Sequence, residues 1–336
     1  MRFVEACGAR VSVVGLGTWQ FGSPEWGYGE EYDSKEASTI LNRALDLGIN
    51  LIDTAEIYGF GKSERIISRA LGSRRDEAFL ASKILPVLPV GPVVERRLAG
   101  SLRRLGTNRL DLYQLHQPNP LVPLSATMPT LAKLADEGKI HHAGVSNYSL
   151  ARWQAAEDAY GRPVLSNQVR YNLIDRRPEQ EVLPWAQSQG RIVIAYSPVA
   201  QGLLSGRYDA VNRPRGTMRN GSAAFSAEHL ERVTPVIEVL REVAAAHDAT
   251  PAQISLAWLI HHRGVVVIPG ASSVAQVEAN AAAAEIDLAQ DEERALTQAA
   301  DTYRPLDKKA AVTIAAHNRF HMLASKVRSH APGPRA

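Results

Sequence analysis

Short apolar runs alternate along most of the chain with longer segments in which apolar residues recur every three or four positions. Short apolar runs bounded by polar or glycine-containing turns are typical of buried strands. The pattern predicts these strands: Val13–Leu16, Asn50–Asp53, Ala78–Lys83, Leu110–His116, Ile140–Ser146, Leu165–Tyr171, Arg191–Tyr196 and Val265–Ile268.

The segments between the predicted strands have the apolar spacing of amphipathic helices. The first helix is predicted to begin after Asp33, an N-cap residue whose partner Glu36 lies three positions on, and to end at Gly48. Further helices are predicted at Ser63–Leu71, Val94–Leu105, near Thr130–Glu137, Leu150–Tyr160, Glu179–Gln189, near Ala227–His247, Pro251–His262 and near Val274–Ala284.

About eight strand–helix units in succession are the number that closes a TIM barrel. We therefore expect a single α/β domain over residues 1–336, a (β/α)8 TIM barrel with long loops at its C-terminal face. The barrel is expected at about 13–285, and a C-terminal helix and tail at about 286–336. The opening Arg2–Val13, with Cys7-Gly8 at its centre, is predicted to form a β-hairpin that plugs the bottom of the barrel.

Composition argues against a secreted, membrane-spanning or nucleic-acid-binding protein. The single cysteine, Cys7, allows no intramolecular disulfide, which suits a reducing cytosol. The N-terminus lacks the long apolar segment of a secretory signal, and no apolar run reaches the roughly 20 residues of a membrane helix. The formal charge of +3 comes from scattered basic pairs that form no cluster for nucleic acid. We expect a soluble, cytoplasmic protein.

Polar residues lie at the predicted strand ends, where barrel enzymes carry their reactive groups. Asp53, Lys83 and His116 end, or nearly end, the second, third and fourth strands, and Tyr58 follows five positions after Asp53. A lysine cation favours a nearby phenolate, so Lys83 is expected to lower the pKa of Tyr58 from its usual value near 10. Asp53 would keep Lys83 charged, and His116 would orient a substrate. A single residue of any of these types at a strand end more often has a structural role than a catalytic one. The four together instead predict a site that protonates a carbonyl oxygen.

The motifs around these residues resemble those of the aldo-keto reductase family. DTAEIYG is similar to the signature that carries the family's catalytic Asp and Tyr, here Asp53 and Tyr58. ASK and LYQLHQP resemble the segments with the catalytic Lys and His, here Lys83 and His116. GVSNY, AYSPVAQGLLSG and IPGAS resemble the branch that contains bacterial oxidoreductases and potassium-channel β subunits. The resemblance extends from GLGTWQFG to VEAN and implies an NAD(P)H-dependent carbonyl reductase.

The resemblance also implies a binding site for NADP, with NAD left open. In the family the matching residues hold the nicotinamide, close over the pyrophosphate and read the adenine. The implied positions are Gly17, Thr18, Trp19, Asp53, Ser146, Asn147, Gln168, Tyr196, Ser197, Pro198, Gly202, Leu203, Leu204, Ser205 and Asn280.

One segment departs from the family pattern. Gly270, Ser272, Ser273 and Gln276 match positions near which many relatives hold the 2′-phosphate of NADP with Lys or Arg. These residues offer hydrogen bonds without charge, and charge-assisted bonds are about twice as strong. The preference for NADP is therefore implied by the resemblance alone.

The expected partner is a small carbonyl compound, such as a sugar or a secondary-metabolite ketone, reduced by hydride from nicotinamide and a proton from Tyr58. A regulatory subunit that senses nucleotide with little turnover is the alternative, and assembly into a homo-oligomer is left open. No metal is expected, because the histidine pairs 141–142 and 261–262 cannot share a helix face and His317 and His321 lack an acidic partner. The predicted substrate pocket consists of Trp19, Trp26, Tyr28, Tyr58, Leu85 and His116.

Overall fold

A computed structural model of the chain describes residues 1–24, 27–29, 32–214, 219 and 222–307. The described strands are β1 Phe3–Ala6, β2 Ala9–Ser12, β3 Leu16–Gly17, β4 Leu51–Asp53, β5 Phe79–Ile84, β6 Leu110–Leu115, β7 Ile140–Ser146, β8 Ser166–Arg170, β9 Ile192–Tyr196 and β10 Val265–Val267. The described helices are α1 Ser34–Asp46, α2 Lys62–Leu71, α3 Gly91–Leu105, α4 Met128–Asp136, α5 Leu150–Tyr160, α6 Val182–Gln189, α7 Ala227–Ala246, α8 Pro251–His261, α9 Val274–Ala282 and α10 Gln290–Thr302.

Strands β3 to β10 form one parallel sheet in which each strand pairs with the next along the chain. Parallel bridges from Val14 to Val267 and from Gly17 to Gly270 join the first of these strands to the last, so the sheet closes on itself. This confirms the predicted (β/α)8 barrel. The first strand differs slightly from the prediction, because regular pairing begins at Leu16 and Val14 contributes only an isolated bridge.

Strands β1 and β2 pair in an antiparallel hairpin, as the sequence predicts. Cys7 and Gly8 form its turn with positive φ angles of 50° and 81°, the conformation that tight hairpin turns require. The apolar side chains of Ala6, Ala9 and Val11 belong to the same core cluster as residues from the barrel strands, including Leu51. The hairpin therefore packs against the barrel interior.

Helix α1 shows how short-range chemistry sets the element boundaries. Asp33 accepts hydrogen bonds from the backbone N–H groups of Lys35 and Glu36, and the Glu36 carboxylate accepts one from the Asp33 N–H. This is the capping box that the sequence predicts, and such caps stabilise a helix by roughly 1 kcal/mol. The apolar face of α1, including Ile40 and Leu41, is fully buried.

The chain divides into two compact units. The first comprises residues 1–198 and 253–288 and contains the hairpin and all the barrel strands described above. The second comprises residues 199–252 and 289 onward, and in it α7 packs on α10, with His247 lying 2.9 Å from Glu292. The single-domain assignment over 1–336 remains a prediction. None of the helices in the described ranges has the length and apolar character that crossing a membrane requires.

Candidate active site

Asp53 and Lys83 form a buried ion pair at the ends of neighbouring strands. Asp53 is the last residue of β4 and Lys83 the penultimate residue of β5, with side-chain exposures of 2% and 0%. Lys83 Nζ donates to Asp53 Oδ1 over 2.5 Å and to the Thr54 carbonyl oxygen over 2.9 Å. Because neither charge reaches water, each must be balanced by the other, and the pair fixes the position of the ammonium group.

The hydroxyl of Tyr58 completes the coordination of that ammonium group. Lys83 Nζ donates to the Tyr58 hydroxyl over 3.2 Å and lies 4.9 Å from the centre of the tyrosine ring. Burial lowers the pKa of Lys83, but Asp53 and Tyr58 outweigh it, so the pKa is raised and the lysine stays charged.

Lys83 lowers the pKa of Tyr58 as predicted, but the net shift is upward, so the expected overall lowering is wrong. Burial of the hydroxyl raises the pKa above its usual value of 10, Lys83 lowers it, and Asp53 raises it again. The physical reason is that desolvation penalises the phenolate, while the Asp53 charge cancels part of the attraction from Lys83. Tyr58 therefore keeps its proton at neutral pH, which is the state that a proton donor requires.

His116 follows β6 directly and faces Tyr58. The two rings meet edge to face, with centroids 5.8 Å apart and planes at 80°. Burial, and secondly the Lys83 charge, lower the pKa of His116 to about 3. Its Nδ1 atom is buried and has no hydrogen-bond partner among the described residues. His116 is therefore a neutral imidazole at physiological pH.

Two glutamine side chains hold the second oxygen of Asp53. Gln168 Nε2 donates to Asp53 Oδ2 over 2.7 Å, and Gln114 Nε2 approaches the same atom at 3.4 Å. The family motifs imply a cofactor role for Gln168 and give no sign of its contact with Asp53. Gln114 was not among the predicted site residues, although a polar residue two positions before His116 on a buried strand is a signal for one.

The residues predicted to hold the nicotinamide are linked by hydrogen bonds. Ser146 Oγ donates to the Gln168 carbonyl oxygen over 2.9 Å, and Asn147 Nδ2 donates to Ser146 Oγ over 3.0 Å. The Tyr196 hydroxyl donates to Asn147 Oδ1 over 2.9 Å, while Asn147 Nδ2 lies 3.3 Å from the His116 carbonyl oxygen. These four predicted cofactor residues therefore adjoin the Asp53, Tyr58, Lys83 and His116 cluster.

The loop after β3 is hydrogen-bonded to the backbone of Asp53. Both the N–H and the hydroxyl of Thr18 donate to the Asp53 carbonyl oxygen, over 3.0 and 2.8 Å. A side chain at Gly17 would place its Cβ 2.6 Å from the Ile268 carbonyl oxygen, so only glycine fits there. The Trp19 ring lies 6.4 Å from the Tyr58 ring.

The segment before α9 gathers the residues predicted near the 2′-phosphate and adenine. Ser273 caps α9 by accepting from the Gln276 N–H over 3.3 Å, and Gln276 Oε1 accepts from the Ser272 N–H over 2.8 Å. Asn280 Nδ2 lies 3.4 Å from the Gly270 carbonyl oxygen. The structure therefore brings these five residues together, and their roles toward a cofactor remain predictions.

Other predicted positions are not brought to the Tyr58 cluster by any contact seen here. Tyr28 packs edge-on against Tyr32 at 5.6 Å, and the Leu85 N–H donates to Glu56. Trp26 lies outside the described residues. Ser197 and Pro198 directly follow β9 in the first unit, whereas Gly202, Leu203, Leu204 and Ser205 belong to the second unit, so their predicted cofactor contacts remain predictions.

Histidines elsewhere do not assemble a metal centre in the part of the chain that the structure describes, which has no group of three or more potential ligands. His141 lies beside Asp111 at 3.3 Å, and His262 Nδ1 lies 3.0 Å from the Trp258 carbonyl oxygen. His317 and His321 fall outside the described residues.

Comparison with known proteins identifies the family. A sequence model of the Aldo/keto reductase family matches residues 13–301. The chain belongs to the aldo/keto reductase family. The resemblance inferred from the motifs is thereby confirmed, and the chain is an oxidoreductase with the fold of this family.

Three proteins are similar in sequence or structure to this aldo/keto reductase. An uncharacterized oxidoreductase of Mycobacterium tuberculosis is 53% identical over 307 residues, covering 91% of this chain and 95% of the relative. The methylglyoxal reductase YeaE of Escherichia coli is 36% identical over 280 residues, covering 83% and 87%. An aldo/keto reductase from Klebsiella pneumoniae, solved in complex with NADP and acetate, superimposes with a TM-score of 0.70 at 33% identity, covering 91% and 96%.

Proposed function

We propose that this aldo/keto reductase reduces a ketone or aldehyde to an alcohol with NADPH, and that Tyr58 donates the proton to the carbonyl oxygen. The observation that carries the proposal is the Tyr58 hydroxyl, 3.2 Å from a buried ammonium group that Asp53 clamps, next to a neutral His116. Such a set of preorganised donors around one point stabilises the charge that develops on a reacting oxygen.

The residues around Tyr58 fit a nicotinamide cofactor. The hydroxyl of Ser146 and the side-chain amides of Asn147 and Gln168 supply polar groups suited to a carboxamide, and the Tyr196 ring supplies a flat face. NADPH, when bound, supplies the hydride. The Klebsiella pneumoniae structures, one with NADP and one with NADPH, support this choice of cofactor.

Proton transfer leaves a phenolate on Tyr58, and the buried site is arranged for that product. The Lys83 ammonium attracts the phenolate more strongly than it attracts the neutral hydroxyl, so its contribution is larger after the proton has left. Asp53 holds Lys83 in place without contacting the substrate. His116 remains neutral and is able to donate an N–H to the same carbonyl oxygen, which orients the substrate.

The substrate is a small carbonyl compound, and a sugar or a secondary-metabolite ketone fits the proposed chemistry. The name of the related methylglyoxal reductase supports small aldehydes as first test compounds. A cytoplasmic location and the number of chains in the assembly remain predictions.

The proposal is tested by titrating the protein with NADPH and, separately, NADH, following the quench of tryptophan fluorescence. Tight NADPH binding, followed by oxidation of NADPH when methylglyoxal or 4-nitrobenzaldehyde is added, is the expected result. Weaker NADH binding would show that Ser272, Ser273 and Gln276 suffice to select the phosphate. Binding without turnover of any aldehyde or ketone would instead support the nucleotide-sensing alternative, and no binding would refute both.

A further inference from the structure

Two buried or half-buried ion pairs join helix α3 to the chain around Tyr58 and Lys83. We propose that the first of them, between Glu56 and Arg97, positions the proton donor of the reaction against the buried ammonium group. The pair acts through the backbone on either side of these two residues. The inference rests on the proposed reductase function and assigns a role to two residues that the sequence motifs leave without one.

Strands β4 and β5 stay paired beyond the end of β4. The Glu56 N–H donates to the Lys83 carbonyl oxygen over 3.3 Å, so the next rung of a continuing parallel ladder would join the Glu56 carbonyl oxygen to the Leu85 N–H. The Glu56 carboxylate accepts that N–H instead, over 2.7 Å. The main chain can therefore turn toward Tyr58 while the ends of the two strands stay joined.

Arg97, on α3, holds the Glu56 carboxylate in this place. Its Nε donates to Glu56 Oε2 over 3.1 Å and its Nη2 lies 2.6 Å from Glu56 Oε1, a forked contact of the kind that gives arginine–carboxylate pairs their geometric specificity. The third nitrogen, Nη1, donates to the carbonyl oxygens of Leu85 and Val87 over 3.3 and 3.1 Å. One guanidinium group therefore fastens the loop after β4 to the loop after β5.

A second ion pair on the same face of α3 repeats this arrangement. The fully buried carboxylate of Glu64, on α2, accepts from Ser82 Oγ over 2.8 Å and from Arg104 Nε over 2.5 Å. Arg104 lies seven positions after the arginine of the first pair, which places both on one face of the helix. Arg104 also packs against Gly61, where a Cβ would come within 2.7 Å of its side chain. The two glutamates therefore anchor β5 on both sides of Lys83.

The hydroxyl of Tyr113 shows that the two pairs share one buried region. Tyr113 is fully buried on β6, and its hydroxyl has no hydrogen-bond partner within the described part of the chain. Burial raises the pKa of Tyr113 well above 10, the two glutamates raise it further, and the two arginines lower it. All four charges therefore act on the same buried hydroxyl. Low polarity strengthens such contacts and penalises the loss of any one of them.

The pairing controls a distance on which the reaction depends. Tyr58 lies two residues after Glu56, Lys83 lies two before Leu85, and Lys83 Nζ donates to the Tyr58 hydroxyl over 3.2 Å. A misplacement of about 1 Å can slow a reaction by about 10²-fold. Loosening the pair should therefore slow proton transfer from Tyr58. It should leave NADPH binding unchanged, because the side-chain contacts given above include none of the residues predicted to hold the cofactor.

Glu56→Gln and Arg97→Met test the proposal, with Glu157→Gln as the matched control. Glu157 accepts from the Val164 N–H over 2.9 Å and pairs with Arg191 at 2.9 Å, and the two side chains are 16% and 14% exposed. The exposures in the pair of Glu56 and Arg97 are 10% and 20%. The control therefore removes an ion pair of the same kind, but at the N-terminal end of β8 and β9.

The measurement is single turnover of the NADPH-loaded protein with a small aldehyde, in H2O and in D2O. We expect the rate to fall by about 10–10²-fold in Glu56→Gln and Arg97→Met, with unchanged NADPH affinity. The solvent isotope effect should exceed that of the parent, because proton transfer then limits the rate more strongly. Glu157→Gln should keep the parent rate and isotope effect. Arg97→Lys keeps a charge but lacks the fork, so it should recover part of the rate that Arg97→Met loses.

A parent rate in both test variants would overturn the proposal. So would an equal loss in Glu157→Gln, a loss that follows weaker NADPH binding, or a slower rate with an unchanged isotope effect, since a loss of folded protein lowers the rate in the same way in both solvents. If Arg97→Met does not fold, Arg97→Lys against Glu157→Gln decides the same question. Failure of the reductase function is recognised separately, because the parent itself would then oxidise no NADPH with any aldehyde or ketone.

Discussion

Lys83→Met is expected to lower the free energy of unfolding by about 3–5 kcal/mol at pH 8, because it leaves a buried carboxylate without its counter-ion. Asp53 is 2% exposed and keeps only the amide donors of Gln168 and Gln114, at 2.7 and 3.4 Å. A total stability of about 5–15 kcal/mol is usual for folded proteins, so the loss is large but measurable.

The same substitution should make stability depend on pH in a specific direction. Once Lys83 is gone, the folded protein favours a proton on Asp53 more than the unfolded chain does. The folded state then binds more protons, so stability falls as pH rises and returns as pH is lowered. We expect the difference between the parent and Lys83→Met to narrow between pH 8 and pH 5, which urea denaturation followed by circular dichroism would measure.

The control is the double variant Asp53→Asn with Lys83→Met, in which both charges are absent. Its loss of stability should be smaller than the sum of the two single losses. Each single variant leaves one buried charge without its partner, whereas the double variant contains neither charge. Additive losses, or a loss from Lys83→Met that is equal at every pH, would refute the view that the pair is a mutually balanced buried ion pair.

Three further substitutions test neighbouring groups by the same denaturation assay. Gln168→Leu should cost about 1–3 kcal/mol by removing a donor from Asp53; no loss would contradict the 2.7 Å bond. In the folded protein His116 stays unprotonated, since its pKa is lowered to about 3. In the unfolded chain the same histidine binds a proton below about pH 6.5, so the parent loses stability as the pH falls. His116→Asn should therefore lose less stability than the parent from pH 6.5 to 4, and parallel losses would oppose a neutral His116. Gly17→Ala should cost about 1–3 kcal/mol by overpacking against the Ile268 carbonyl oxygen, and an unchanged stability would contradict that close approach.

Much of the barrel could be predicted because its determinants are local. The short run Ile192–Tyr196, which is almost wholly apolar, and the capping residues Asp33 and Glu36 specify their elements without reference to distant residues. The strand ends then place Asp53 and Lys83 at the same end of a parallel sheet, since β4 and β5 pair in register. The sequence predicts this placement of Asp53 and Lys83 because the direction of parallel strands alone determines which residues lie at the C-terminal end of the sheet.

The remaining features depend on distances through space. The bond from Gln168 to Asp53 joins positions 115 residues apart, and only barrel closure brings them together. The direction of the Tyr58 pKa shift follows from burial, which no motif encodes. The outward position of Phe60 depends on Gly59 packing against the loop that contains Gly22 and on Gly61 packing against Arg104 of α3, so no local motif predicts it.

The central claim is that Tyr58 donates the proton, and single turnover of the Tyr58→Phe variant preloaded with NADPH tests it most directly. Lys83, Asp53 and His116 stay in place in this variant, so only the donor hydroxyl is removed. We predict a rate of NADPH oxidation by a small aldehyde that is lower by about 10²–10⁴-fold, with NADPH affinity and the unfolding midpoint close to those of the parent. A Tyr58→Phe variant that reduces the aldehyde at the parent rate would contradict the account.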